Sequence, residues 1–171
     1  MTSSSRRLGL FYGVALTIFG LCQIGSYFVE SKLNQHEPHS IFPFLNLTHV
    51  RNYGGIFGIS QGMGWAFALG ASLVLLLVVV FIHKGQVMRP FEYACYGLIV
   101  GGGWANVCDR IIYGSVIDYF DVQGIPHWNY IFNAADVSIH LGIWPLILFG
   151  LFSRKKSDEP GDPAKPAEGA S

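Results

Sequence analysis

Apolar residues come in four long runs along this chain, separated by polar connectors of unequal length. Leu8 to Val29 carries no charge, and neither does Asn52 to Ile82, whose second half, ALGASLVLLLVVVFI, is the most lipid-like stretch of all. Tyr93 to Cys108 and Val137 to Phe152 are shorter, and each is bounded by acids. A helix needs about 20 apolar residues to cross the hydrocarbon core, because every backbone polar group must be bonded internally there. The first two runs satisfy this outright. The other two satisfy it if their helices continue past the flanking charges, which puts Asp109 and Asp136 near the membrane interface. Between the first two runs, LNLTHV alternates apolar and polar with period two, as a half-buried strand does. The pattern predicts an all-α membrane protein of four transmembrane helices, with a small strand platform and an outer loop on the extracytoplasmic face.

Composition agrees. Of the 171 residues, 51% are hydrophobic and 13% charged, against about 25% charged in an ordinary soluble domain. Eleven basic residues balance eleven acidic ones, so no overall field points to nucleic acid. Cys22, Cys95 and Cys108 all lie in apolar stretches, without metal-ligand spacing or the pattern of a disulfide framework, and read as small buried hydrophobes.

Orientation follows from the basic residues near the helix ends. Arg6, Arg7, Lys84, Arg89, Arg154, Lys155 and Lys156 fall on one side, and Lys32, Arg51 and Arg110 on the other. Both termini are therefore expected in the cytoplasm, with connectors 30–61 and 109–130 outside and residues 83–90 as a short inner loop. Residues 1–153 form one membrane body. The tail 154–171 is polar and rich in Pro and Gly, and is expected to be a disordered cytoplasmic end. Arg6 and Arg7 before an apolar run ending in FGLC also allow a cleavable signal, but a lipoprotein cleavage site needs a small residue where Leu21 stands. The tripeptide from Asn46 to Thr48 matches a glycosylation acceptor of a kind common by chance.

Ionisable groups at membrane depth cost about 2.5 to 3.5 kcal/mol each on insertion scales, so each asks for a function. They gather at one side. Asp109, Arg110 and Asp118 follow the third run, Asn133 and Asp136 open the fourth, and Arg51 and Asn52 reach the same level from the other outer connector. Asp109 and Arg110 are expected to form a structural ion pair or helix-end anchors. Asp118, in SVIDYF, and Asp136, in NAADVSI, have no Lys or Arg beside them in sequence. Two such carboxylates brought together share a proton and titrate as a unit. That suits an aspartic peptidase, one acid taking a proton from water and the other donating to the carbonyl oxygen. It also suits a cation or proton pathway, and spacing alone leaves both open. No nucleophile turn, HExxH motif or phosphate-binding glycine loop occurs. Gly101 to Gly103 suit close helix packing, and His140, one turn after Asp136, is expected to be a packing residue.

Three stretches together resemble the lipoprotein signal peptidase family, also called signal peptidase II. GGGWANVCDRIIYGSVIDYFDV resembles that family's G-G-x-x-x-N-x-x-D-R followed by G-x-V-x-D, with every interval between Asn106, Asp109, Arg110, Gly114 and Asp118 matching. FNAADVSIHLG resembles its F-N-x-A-D-x-x-I-x-x-G, and LTHVRNYGGIFGI its N-x-G-x-x-F. The likeness spans Leu8 to Phe152. It implies a multi-pass peptidase of the bacterial inner membrane that removes the signal peptide from diacylglyceryl-modified prolipoproteins, cutting before the lipidated cysteine. Asp118 and Asp136 would be the catalytic pair. Asn106, Arg110 and Asn133 would position substrate and acids, while Asn52 and Gly54 would lie on the loop enclosing the site. No metal or cofactor is expected; the partners are the prolipoprotein substrates and membrane lipids, and a monomer is expected. A non-catalytic lipoprotein-binding relative is the alternative, because the first helix departs from the family's D-Q-x-T-K, with Cys22, Gln23, Ile24, Gly25 and Ser26 in those places. Val137 stands where a serine is common, and His140 replaces an apolar residue.

Overall fold

The computed structural model describes residues 3–55, 59–84 and 88–157. Phe57 of the third motif, residues 85–87 of the expected inner loop and residues 158–171 of the expected tail lie outside the described residues. The chain runs α1 (Ser3–Lys32), β1 (Pro38–Phe42), β2 (Leu45–Asn52), α2 (Gly64–His83), α3 (Pro90–Tyr113), β3 (Val116–Val122), β4 (Ile131–Phe132) and α4 (Ala134–Ser157). Helix α1, with 30 residues, spans about 45 Å at 1.5 Å per residue. Helices α1, α2 and α4 are long and apolar enough to cross a membrane. Helix α3 has 24 residues but carries Glu92, Asp109 and Arg110.

The helices are apolar on the outside. Leu16, Leu21, Ile24, Leu69, Leu77, Leu141, Trp144 and Leu148 are exposed, while Ser26, Asp109, Asp118, Asn133 and Ser138 are buried. This reverses a water-soluble protein, where large exposed apolar patches are rare. It fits a chain whose surroundings are lipid.

Helix α3 packs against α1, α2 and α4. Its glycines allow the approach. A Cβ at Gly101 would lie 2.5 Å from the Ala15 carbonyl oxygen of α1, one at Gly102 would lie 2.2 Å from Ser138 Oγ of α4, and one at Gly103 would lie 2.6 Å from Leu75 of α2. Consecutive glycines on a helix face about 100° apart, so one tripeptide admits three neighbours at close range. Small residues at helix interfaces stand in for the hydrophobic drive that lipid removes.

Local signals set where α3 begins and ends. Pro90 occupies the first turn, where a missing N–H costs nothing, and the Glu92 carboxylate accepts from the Arg89 backbone N–H at 2.6 Å. At the other end Gly114 adopts φ 73° and donates its N–H to Arg110 O, the left-handed stop that glycine supplies without a Cβ clash. The chain then turns straight into β3, which carries Asp118.

The strands form one antiparallel sheet in the order β1-β2-β3-β4. LNLTHV is indeed the body of β2. The charge-free run from Asn52 does not begin a helix there: Asn52 ends β2, and α2 starts at Gly64. An irregularity between Leu47 and Val50 shifts the β2–β3 register, after which Val50 faces Asp118 and Asn52 faces Val116. The sheet is bolted to α1 by a cluster around Glu30, whose carboxylate meets Arg51 and, at 3.0 Å, His49 Nε2. His49, 2% exposed, donates from Nδ1 to Leu33 O at 3.0 Å.

Candidate active site

Asp118 lies on β3, with side chain almost fully buried. Its Oδ1 accepts from Asn133 Nδ2 at 2.9 Å and its Oδ2 from Asn52 Nδ2 at 3.1 Å. Burial, and after it the charge of Asp136, pushes the carboxyl up to about 7, against the pull of the two asparagine donors and Arg110. A carboxyl in that range holds its proton near neutrality and can give it up, as an acid–base catalyst must.

Asp136 occupies the first turn of α4, and the helix start is built around it. Asn133 is the N-cap, its Oδ1 accepting the Asp136 N–H at 3.0 Å, and Asp136 Oδ2 accepts the Asn133 N–H at 3.3 Å. This reciprocal arrangement satisfies two backbone donors that a helix start would leave orphaned. The remaining oxygen, Oδ1, accepts from Asn106 Nδ2 on α3 at 2.9 Å. Asn133 Nδ2 also donates to Asn106 Oδ1 at 3.0 Å. Both acids are therefore tied to one residue, Asp118 by the Asn133 side-chain amide and Asp136 by its backbone and side chain. Neither acid is ion-paired in the described structure.

The other expected site residues divide. Asn52 is the hub on the loop side: besides Asp118 it donates to Gly55 O at 3.2 Å, and its Oδ1 accepts from Gly54 N at 3.0 Å. Gly54 is forced to be small, since a Cβ would sit 2.3 Å from Ile59 O. Arg110 donates to Gly54 O at 2.9 Å and to Asn106 O at 3.1 Å, bridging loop and helix. It also lines a cavity of about 500 Å³ between α2 and α3, with Trp65, Leu69, Val107 and Ile111.

Two expectations need correction. Of the two readings of Asp109 and Arg110, the ion pair with each other does not form, because adjacent residues on a helix point about 100° apart; both do stand near the end of α3. Asp109, 1% exposed, accepts instead from Gln23 Nε2 at 2.8 Å, Ser26 Oγ at 2.8 Å and Ile117 N at 3.3 Å. Arg51 turns to Glu30 and to Tyr113 O. His140 sits on an exposed face of α4 rather than in the core, and donates from Nδ1 to Asp136 O at 2.8 Å. Gln23, Ser26 and Gln61 were not among the expected site residues. Gln61 donates from Nε2 to Asn52 Oδ1 at 3.4 Å. Gln23 is visible in sequence as the retained residue of the altered first-helix stretch, and Ser26 replaces a lysine there with a neutral donor to Asp109.

Known proteins match this arrangement along most of its length. The family model described as Signal peptidase (SPase) II matches residues 14–152. The lipoprotein signal peptidase of Pasteurella multocida (strain Pm70) is 33% identical over 163 residues, covering 93% of this chain and 98% of that protein. That of Haemophilus influenzae (strain Rd) is 33% identical over 157 residues, 89% of this chain and 92% of that protein. A bacterial membrane enzyme determined by the in meso method at 2.3 Å superposes with a TM-score of 0.80 at 26% identity, over 90% of this chain and 94% of that one. A second, at 1.9 Å, gives a TM-score of 0.74 at 28% identity, over 84% and 92%. A multi-pass membrane peptidase with helices and sheet in this order, the chain belongs to the signal peptidase II family.

Proposed function

We propose that this chain removes the signal peptide from diacylglyceryl-modified prolipoproteins with Asp118 and Asp136 as a proton-sharing pair. One carboxylate, ionised, takes a proton from water as the water attacks the scissile carbonyl; the other, protonated, donates to the developing oxyanion. The proton then returns through the pair to the leaving amine, and no covalent intermediate forms. The observation that carries this reading is Asn133, which touches both acids and so joins them in one hydrogen-bonded network. Asn106 holds Asp136, Asn52 holds Asp118, and Arg110 ties the loop at Gly54 to α3.

Four helices cross the bilayer in this reading, α3 included, with both termini cytoplasmic and the sheet at the extracytoplasmic face of the inner membrane. The burial of α3 among three apolar helices supports its crossing despite its charges. A lipid-anchored substrate is already held in the bilayer, so its cleavage site is delivered to the interface and the reaction becomes nearly unimolecular. The loop of Asn52 and Gly54, tied to Asp118 through Asn52 and to α3 through Arg110, sheds water from the pair in this reading. A monomer carries every residue the pathway uses.

The test is cleavage of a lipidated prolipoprotein by purified protein in detergent or vesicles, with Asp118→Asn and Asp136→Asn alongside. Loss of cleavage by at least about a thousandfold in both, with normal membrane insertion, is expected. Native-rate cleavage by either variant overturns the assignment.

A further inference from the structure

Tyr119 follows Asp118 on β3, and strand alternation sends its side chain to the opposite face. It is 5% exposed and packs with Val29 of α1 and Ile117. Its phenolic oxygen accepts a hydrogen bond from the Ala134 N–H at 3.2 Å. Ala134 is the first residue of α4, and the first N–H groups of a helix have no partner within it. Asn133 serves the Asp136 N–H and Tyr119 serves Ala134.

On its other side the hydroxyl rests against α1. A Cβ at Gly25 would lie 2.9 Å from the Tyr119 hydroxyl oxygen and 3.6 Å from the ring carbon bearing it. The hydroxyl therefore occupies the space a side chain at position 25 would take. Burial pushes the phenol up to about 12, so it stays uncharged wherever the enzyme works.

We propose that Tyr119 is a positioning residue for the aspartate pair: its hydroxyl, seated on Gly25, locks the start of α4 to the strand that carries Asp118 and so fixes Asp136 relative to Asp118. The proposal rests on reading those two acids as catalytic. Neighbouring residues of one strand then hold both halves of the site, Asp118 by carrying one carboxyl and Tyr119 by gripping the backbone two residues before the other. A helix start released from Tyr119 moves Asp136 while Asp118 stays with the sheet. Mutual geometry is lost, while substrate binding is kept.

The experiment compares wild type, Tyr119→Phe, Gly25→Ala and the double variant, as full-length protein acting on a diacylglyceryl prolipoprotein. Tyr119→Phe is expected to lower kcat about tenfold, the worth of one buried hydrogen bond, with KM changed less than about twofold. Its two apparent acid–base values draw together, because carboxyls that separate couple less. Gly25→Ala displaces the hydroxyl and gives the same kcat loss, and the double variant is no slower than either single, since both remove one contact. Hydrogen exchange at the Ala134 amide speeds up in Tyr119→Phe, a readout that does not depend on turnover. Wild-type turnover in the same assay judges the peptidase reading separately. Native kcat and an unmoved pH profile in Tyr119→Phe, or losses that simply add in the double variant, overturn the positioning role.

Discussion

Asn133→Ser separates two jobs that Asn133 performs at once. Serine caps a helix about as well as asparagine, so the donor at Asp136 N keeps an acceptor and α4 keeps its start. Serine is too short to replace the amide that reaches Asp118 Oδ1 at 2.9 Å. A hydrogen bond to an ionised group contributes about 1.5 to 3 kcal/mol, and at 1.36 kcal/mol per unit this is about one to two pKa units. The bond favours the charged carboxylate, so its loss raises Asp118. From about 7 in the native protein the carboxyl moves to about 8 or 9. A pair that works with one shared proton fails when the second proton leaves, so the alkaline limb of kcat against pH follows Asp118 upward. The assay is cleavage of a lipidated prolipoprotein from about pH 5 to 10, beside thermal unfolding to check that the cap has held. An alkaline limb that stays put, or falls, in a variant that unfolds at the native temperature refutes the role given to Asn133.

Further outcomes follow from the same geometry. Asp118 sits at about 7 when folded against 3.8 ordinarily, so the carboxyl favours folding below about pH 4 and that contribution is lost as pH rises through 7; three units correspond to about 4 kcal/mol. Asp118→Asn, inactive, is accordingly expected to unfold at a higher temperature than wild type at pH 8 but not at pH 4, as scanning fluorimetry across pH would show. Arg110→Lys cannot reach both Gly54 O and Asn106 O, and should cost about tenfold or more in kcat/KM with little change in unfolding temperature. Ser26→Ala leaves the buried Asp109 short of one donor and should destabilise by about 1 to 3 kcal/mol, seen as a lower unfolding midpoint. Gly102→Ala drives a Cβ into Ser138 and the Ala135 carbonyl, forcing α3 and α4 apart at about 1 to 3 kcal/mol; an unchanged midpoint would argue against that contact.

Much of the architecture was legible because the membrane imposes it: apolar runs of the right length become helices, and LNLTHV shows its half-buried alternation openly. Strand β3 was less visible. Its first four residues, VIDY, are buried on both faces, so the alternation that marks a strand is hidden, and a short apolar run reads as helix or strand alike. Helix α2 starts later than its charge-free run suggests, since Gly54, Gly55 and Gly62 break the helix without adding charge. The two acids and their asparagines stood out because polar groups are scarce in such a chain. Gln23 and Ser26 did not: their bonds to Asp109 join positions 86 and 83 residues apart, and such pairing leaves no local pattern. For Asp109 and Arg110, helix geometry already separates adjacent side chains, which favours helix-end positions over a mutual ion pair.

The proposed mechanism has two acids acting together in the cutting of a lipidated prolipoprotein. Its most direct test is a solvent-isotope measurement: single-turnover cleavage in heavy-oxygen water by the wild type and by Asp118→Asn and Asp136→Asn. The wild type should place the label in the carboxylate of the released signal peptide in one turnover, without a covalent enzyme adduct, and neither variant should label anything. Labelled product from either variant, or a trapped acyl-enzyme in the wild type, would contradict it.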